Sequence, residues 1–492
     1  MQLFAGVDQG TSGTRTLLAD EAGHVVASAY RRSETAHPAP GWEEQEGPAL
    51  LRAIEETVAE ASAAVPGAEV AGIGIANQGE TVIAFDRRTG EALSPAILWS
   101  DRRAADIVAD LAGTPSQALL EERTGLPLDP YFSAGKLAWM LRELPQVRRA
   151  AEAGRLAMGT LDAYFAFRLT RGEAFITDPS TASRTQLMDL DRLRFDPGCA
   201  AAFGLDPALL PAMTSTVLPE AIPTTLGAPL RAISCDQQAA LAAIGATRRG
   251  DVKVTYGTGC FVEANAGDRA VRPANGLMAT FGWALPGGER AWALEGGVFS
   301  AATAVDWLVS LGIAEDPAAV SALAARADGE SEALFLPSFT GVGAPWWRPG
   351  AAGVLACLRA STSAADLARA VLEGIAHRVA DVIDAVGREQ GLPAELRVDG
   401  GLSASEPLLR VQADLCGLPV LPALERETTA AGVAAYAAIG AGSTDLATVA
   451  ARARFAAPVE PRLPAAERDA RRARWTSFVG ASAALDPGRL RR

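Results

Sequence analysis

At 492 residues the chain is longer than one hydrophobic core usually sustains, which favours two large domains with a ligand cleft between them. Its formal charge of −13 excludes a broad nucleic-acid-binding surface, because neutralising phosphates takes clustered Lys and Arg. The five cysteines have neither CxxC nor Cys/His spacing, which argues against a disulfide framework or zinc site, and the absence of a ~20-residue apolar run or a cleavable leader after Met1 predicts a cytoplasmic protein.

Leu3 to Val7 predicts a buried strand, ended by the turn Asp8-Gln-Gly-Thr-Ser-Gly-Thr14 and followed by a second strand over 16–19. A third runs from Val25 to Tyr30. Leu50, Leu51, Ile54, Val58 and Ala61 then recur at helical spacing over 48–64, before Val70 to Ile75 resumes as a strand. A similar order returns later: Val252 to Thr255, the turn Tyr256-Gly-Thr-Gly259, Phe261 to Ala264, and strands near 277–281 and 291–294. Helices are expected over 299–310, 364–386, 405–415 and 429–441, with a strand over 395–398. The repeat predicts a structural duplication, α/β in both halves, divided into 1–246 and 247–492. Arg468, Arg471, Arg472 and Arg474, interrupted by acids, predict a solvated helix face, and Arg489, Arg491 and Arg492 a frayed tail.

The first turn joins a carboxylate at a strand end to glycines, hydroxyls and a cation, so its exposed N–H groups could curl around a phosphate. Asp8 would then face a nucleotide's Mg²⁺, while Thr11 and Arg15 would touch phosphate oxygens. Alone, the motif is equally a hairpin whose small residues suit its dihedrals. A second Gly/Thr hairpin at the corresponding place lets the two clamp phosphates from opposite sides. Val398-Asp-Gly-Gly401 offers a bare backbone that could admit adenine or ribose. Asp236, after the apolar strand ending at Cys235, reads by its own chemistry equally as a helix N-cap and as a general base.

These segments, in this order, resemble the actin, Hsp70 and sugar kinase superfamily, and within it the FGGY carbohydrate kinases, nearest the glycerol kinase group. The resemblance runs from Val7 to about residue 460 and includes Pro40-Gly-Trp42, Tyr131-Phe-Ser-Ala-Gly-Lys-Leu-Ala-Trp139, Ser183-Arg-Thr185, Asp236-Gln-Gln238 and Phe339-Thr-Gly-Val-Gly-Ala-Pro-Trp346. It implies two RNase H-like domains around a central cleft, ATP with Mg²⁺ in that cleft, domain closure on the substrate, and often a homodimer or homotetramer. By resemblance Asp236 is the general base and shares Mg²⁺ with Asp8. Thr11, Ser12, Gly13 and Arg15, with Gly257, Thr258 and Gly259, hold the phosphates. Gly400 and Gly401 border the adenosine, joined by Ala302, Asp306 and Ser405, which stand where glycerol kinases have glycine, glutamine and asparagine.

The sugar pocket implied by the resemblance comprises Gln78, Gly79, Glu80, Trp99, Tyr131, Asp236, Gln237 and Phe261. It departs from the glycerol kinase pattern at Gly79, where Asn-Gln-Arg-Glu-Thr has an arginine donating to two glycerol hydroxyls. A charged hydrogen bond is worth roughly 1.5–3 kcal/mol, so its loss should weaken glycerol binding about ten- to a hundredfold unless another residue compensates. Glycine should also leave space for a longer acceptor such as erythritol or xylulose, and Gly79→Arg should then improve glycerol use. The implied reaction is ATP-dependent phosphorylation of a terminal hydroxyl of a small polyol or sugar. A sugar-nucleotide hydrolase and a non-catalytic sugar-binding relative are the alternatives.

Overall fold

The computed structural model describes residues 2–327 and 331–486; Arg489, Arg491 and Arg492 lie outside the described residues. In the first half, strand Gln2–Gln9 occupies the middle of a six-stranded sheet because Leu3, Phe4, Ala5 and Val7 are all buried, which two covered faces require. It runs antiparallel to Gly13–Asp20, which pairs with Val25–Arg32, and parallel to Glu69–Asn77 on its other side. Leu230–Cys235 adds in parallel beyond that, with Val217–Ile222 at the edge.

The second half repeats this plan. Strand Val252–Tyr256 is antiparallel to Cys260–Gly267 and parallel to Leu396–Asp399, which is flanked by Val420–Pro422. Arg290–Val298 follows on the antiparallel side, with Met278–Ala284 as an additional edge strand. The expected helices appear as Gly47–Ala63, Ala302–Ser310, Ala364–Gln390, Glu406–Cys416 and Thr428–Gly440. The second of these starts three residues later than its periodicity suggests, because Ala301 N–H donates to Thr258 O at 3.0 Å and ties the preceding residues to the hairpin.

Helix Thr428–Gly440 crosses from the second half to lie on the first half's sheet. A Cβ at Gly6 would sit 1.9 Å from Ala430 O, and one at Gly74 2.0 Å from Val433 O. The same helix meets helix Asp236–Ala243, where a Cβ at Gly432 would sit 2.1 Å from Ala239 O. The chain's Ala and Gly enrichment is spent partly here, on backbone-to-backbone contact between the halves.

The C-terminal helix Ala465–Ser482 corrects one expectation. Arg471 pairs with Glu467 on its surface, but Arg472 turns inward and donates to Asp381 at 2.6 Å and Asp384 at 2.8 Å, so the arginines do not form a uniformly solvated face. Among the described residues no helix is long and apolar enough to cross a membrane.

Candidate active site

Each half contributes a hairpin tip to one cavity of about 330 Å³. At the first tip Gly10 N–H donates to Gly13 O at 3.0 Å, and Ser12 O accepts from Ser33 N–H and the Tyr30 hydroxyl, both at 3.0 Å. At the second, Gly257 N–H donates to Gly259 O at 2.9 Å. Among the described residues the N–H groups of Thr11, Ser12, Thr258 and Gly259 have no acceptor. Two pairs of free donors at the tips are what a polyphosphate would accept from. A Cβ at Gly257 would approach only Gly259 O, at 3.6 Å, so the opening stays unobstructed. Gly400 is required by close approach, with φ +82° and a would-be Cβ 2.6 Å from Tyr256 O.

Seventeen of the sequence-predicted positions line this cavity: Asp8, Thr11, Ser12, Gly13 and Arg15; Gln78, Gly79, Glu80, Trp99 and Tyr131; Asp236 and Gln237; Gly257, Thr258, Gly259 and Phe261; and Gly400. Gly401, Ala302, Asp306 and Ser405 do not. The Ser405 hydroxyl is committed locally, accepting from Leu408 N–H at 3.4 Å and from the Ser321 hydroxyl at 2.8 Å. Asp306 is exposed, and Ala302 N–H donates to Gly257 O at 3.1 Å, reaching the cleft only through that backbone.

Asp236 is the first residue of helix Asp236–Ala243, not its N-cap, which is Cys235. Its Oδ1 accepts from Gln237 N–H at 2.8 Å and from the Cys235 thiol at 3.4 Å. Oδ2 has no partner among the described residues, on a side chain that lines the cavity, so it is free to accept a hydrogen bond. Burial raises the Asp236 pKa, the Gln237 N–H opposes that rise, and the Glu80 charge adds to it. Asp8 is pushed up to about 8, first by burial and then by the neighbouring Asp236 and Glu427 charges, against the pull of Arg15. Arg15 itself is paired to Glu427 of the other half at 2.9 Å.

An aromatic wall faces the carboxylates. Trp99 meets Tyr131 and Phe261 edge-on, with centroids 5.9 and 6.0 Å apart, and Tyr131 stacks on Phe299 at 5.7 Å. The fully buried Lys136 holds this wall from behind, its Nζ donating to the carbonyls of Leu98 at 3.1 Å, Trp99 at 3.3 Å and Tyr131 at 2.7 Å. Thr11 belongs to the wall as well as to the first hairpin tip: its hydroxyl donates to Gln78 Oε1 at 3.0 Å and accepts from Trp99 Nε1 at 2.9 Å. Lys253 Nζ donates to Gln237 Oε1 at 2.9 Å, which turns the Gln237 amide nitrogen toward other acceptors.

The space expected beside Gly79 is occupied. A Cβ there would lie 2.9 Å from Cys235 Sγ and 3.5 Å from Arg184 Cγ. Arg184 is buried at 1% exposure, its Nε donating to Glu80 at 2.8 Å and its Nη2 to Glu295 of the second half at 2.9 Å. Glu295 pairs with Glu263 on the adjacent strand, and burial raises its pKa, with the Glu263 and Glu80 charges adding to the rise against the pull of Arg184.

The profile of the FGGY family of carbohydrate kinases, N-terminal domain, matches residues 3–224, and that of the C-terminal domain matches 252–441. The chain belongs to the FGGY family of carbohydrate kinases. A glycerol kinase of Alkalilimnicola ehrlichii is 40% identical over 489 residues, covering 97% of this chain and 98% of that one. The structure of a Plasmodium falciparum glycerol kinase with ADP superposes with a TM-score of 0.90 at 27% identity over 98% of both chains. A xylulose kinase from Brucella ovis gives 0.88 at 26% identity, covering 98% of this chain and 100% of that one. The chain is therefore an ATP-dependent carbohydrate kinase with the two-domain fold of that group.

Sequence reasoning left several residues in or directly behind the kinase's cleft without a role: Arg184, Glu295, Arg426, Glu427 and Asp399 in it, and Lys136 behind it. Signals for some of them were present. Asp399 directly precedes Gly400-Gly401, and Glu295 is an acid set between apolar residues and glycines in its strand.

Proposed function

We propose that this kinase transfers the γ-phosphoryl group of ATP to a terminal hydroxyl of a short polyol, with glycerol the first candidate. The observation that carries this reading is the unpartnered Oδ2 of Asp236, placed in one cavity with two hairpins of free N–H groups and a polar wall containing Glu80 and Arg184. The similarity to enzymes named glycerol kinase, at about 40% identity over nearly the full chain, supports the acceptor class.

The hairpin N–H groups hold the phosphates, as do the Thr258 hydroxyl and the backbone near Gly13, while Gly400 borders the nucleoside. Glu80, Gln237 and Tyr131 fix the acceptor hydroxyls, and Trp99 and Phe261 cover its carbons. Asp236 orients the attacking hydroxyl and takes its proton as the bond to phosphorus forms. Asp8 and Asp236 fit Mg²⁺: burial raises the Asp8 pKa first and the neighbouring Asp236 and Glu427 charges add to it, so a cation bound there would offset both costs. No group of three or more His, Cys, Asp or Glu among the described residues forms a cage, so the ion would be shared with phosphate oxygens, where it supplies charge neutralisation. The halves 1–246 and 247–492 would close on the substrate and exclude water.

ADP release measured with a panel of three- to six-carbon polyols and ketoses tests the reading. Release should depend on a polyol and be slow without one. Steady release unaffected by every acceptor would instead indicate a hydrolase, and none under any condition a binding protein.

Thr258→Val should raise KM for ATP several-fold while leaving KM for the acceptor unchanged, since its exposed hydroxyl makes no hydrogen bond among the described residues. Thr11→Val should raise both constants, because its hydroxyl also braces Gln78 and Trp99. Equal effects on both constants in Thr258→Val would remove its phosphate role.

A further inference from the structure

Arg184 has one polar atom unaccounted for. Nε and Nη2 are bonded to Glu80 and Glu295, but Nη1 is buried without a partner among the described residues, on a side chain that lines the acceptor end of the cavity. A buried guanidinium N–H left unpaired is costly, and a ligand oxygen is the group that would satisfy it. Its stem and the Cys235 sulfur together occupy the volume next to Gly79, the position at which the resemblance had indicated a lost cation.

We propose that Arg184 supplies the cationic donor to the acceptor polyol, that Glu295 positions it from the opposite half, and that Gly79 is small because Arg184 and Cys235 fill its space. This rests on the polyol kinase reading and names its specificity-determining residue. The site then favours a short acceptor over a longer one, since the expected extra room is absent. Arg184 also spans the cleft, bonding Glu80 on one side and Glu295 on the other, so it senses the acceptor and the relative placement of the halves through the same fork. Lysine keeps the charge but cannot reproduce three directed N–H groups.

The test uses the full-length protein, ADP release with the polyol panel, and thermal melting as a check on folding. Arg184→Lys should raise KM for the preferred polyol tenfold or more and leave KM for ATP within twofold. Glu295→Gln should move the same constant in the same direction by less, because the oxygen that accepts from Nη2 is retained. Gly79→Arg should lower kcat/KM for the preferred polyol, because the new side chain must push Cys235 off Asp236; Gly79→Arg with Cys235→Gly should recover part of that loss. An Arg184→Lys enzyme with polyol KM within twofold of wild type overturns the proposal. So does Gly79→Arg if it raises kcat/KM for glycerol, and this decides the matter should Arg184→Lys fail to fold. A wild-type protein that phosphorylates no member of the panel removes the polyol kinase reading itself, an outcome distinct from an active enzyme indifferent to Arg184.

Discussion

Asp236→Asn is expected to lower kcat by ~10² to 10⁴ while ATP and polyol still bind, the range for removing a positioned general base. The amide keeps the shape and can keep the Gln237 N–H bond at Oδ1, so the helix start is undisturbed. It loses the oxygen that accepts the proton. The pH profile separates this from a packing effect. Burial raises the Asp236 pKa above the usual carboxylate value, and the base works only when ionised. Wild-type activity should therefore fall as pH drops through a value above about 4, whereas the residual activity of the asparagine variant should lack this acid limb. A variant retaining more than a third of the wild-type rate would mean that Asp236 is not the base.

The second large effect is expected at Asp8, and it has opposite signs for activity and stability. Asp8→Asn should reduce kcat roughly 10- to 100-fold, as loss of a group that orients a metal ion does. The ligand-free variant should nevertheless melt higher than wild type at pH 8 to 9. The Asp8 pKa is raised from 3.8 to about 8 in the folded protein, so between those values the folded state retains a proton that the unfolded chain releases. Stability then declines as pH rises through that window, and the penalty is complete above its upper end. Asparagine carries no charge and escapes it, so the two melting temperatures should converge below pH 4. Saturating Mg²⁺ and ATP should narrow the gap at pH 8 by stabilising the ionised form in wild type. If Asp8→Asn melts lower than wild type at pH 8 and the difference does not change with pH, the account of a carboxylate made costly by burial and by its charged neighbours is wrong.

The two hairpins were legible because they are local: a glycine- and hydroxyl-rich tip between two apolar runs needs only neighbouring residues to form. The duplicated strand order followed from the same local patterns, and the long helix Ala364–Gln390 from its 3.6-residue periodicity. The acceptor end was harder. Arg184 meets Glu80 across 104 residues and Glu295 across 111, and nothing in the immediate neighbourhood of a Ser-Arg-Thr segment says that its cation is buried. Lys136 likewise reads as one charge on an amphipathic helix, although all three of its bonds go to carbonyls inside the protein. The surroundings of Gly79 were hidden for the same reason: the absence of a side chain is visible in sequence, but the atoms next to a Cβ there belong to residues 184 and 235.

The contact between helix Thr428–Gly440 and the first half has a consequence for which amino acids the chain can accept. At Gly6, Gly74 and Gly432 the atom facing the missing side chain is a backbone carbonyl oxygen at about 2 Å, which cannot rotate aside as a side chain could. Even alanine would have to lift one half off the other, and the helix carries Thr428 and Thr429 to the cleft at its leading end. These three positions thus have an alphabet of one letter, set by backbone contact alone, and the spacing of the two halves at the cleft is written in residues that have no side chain at all.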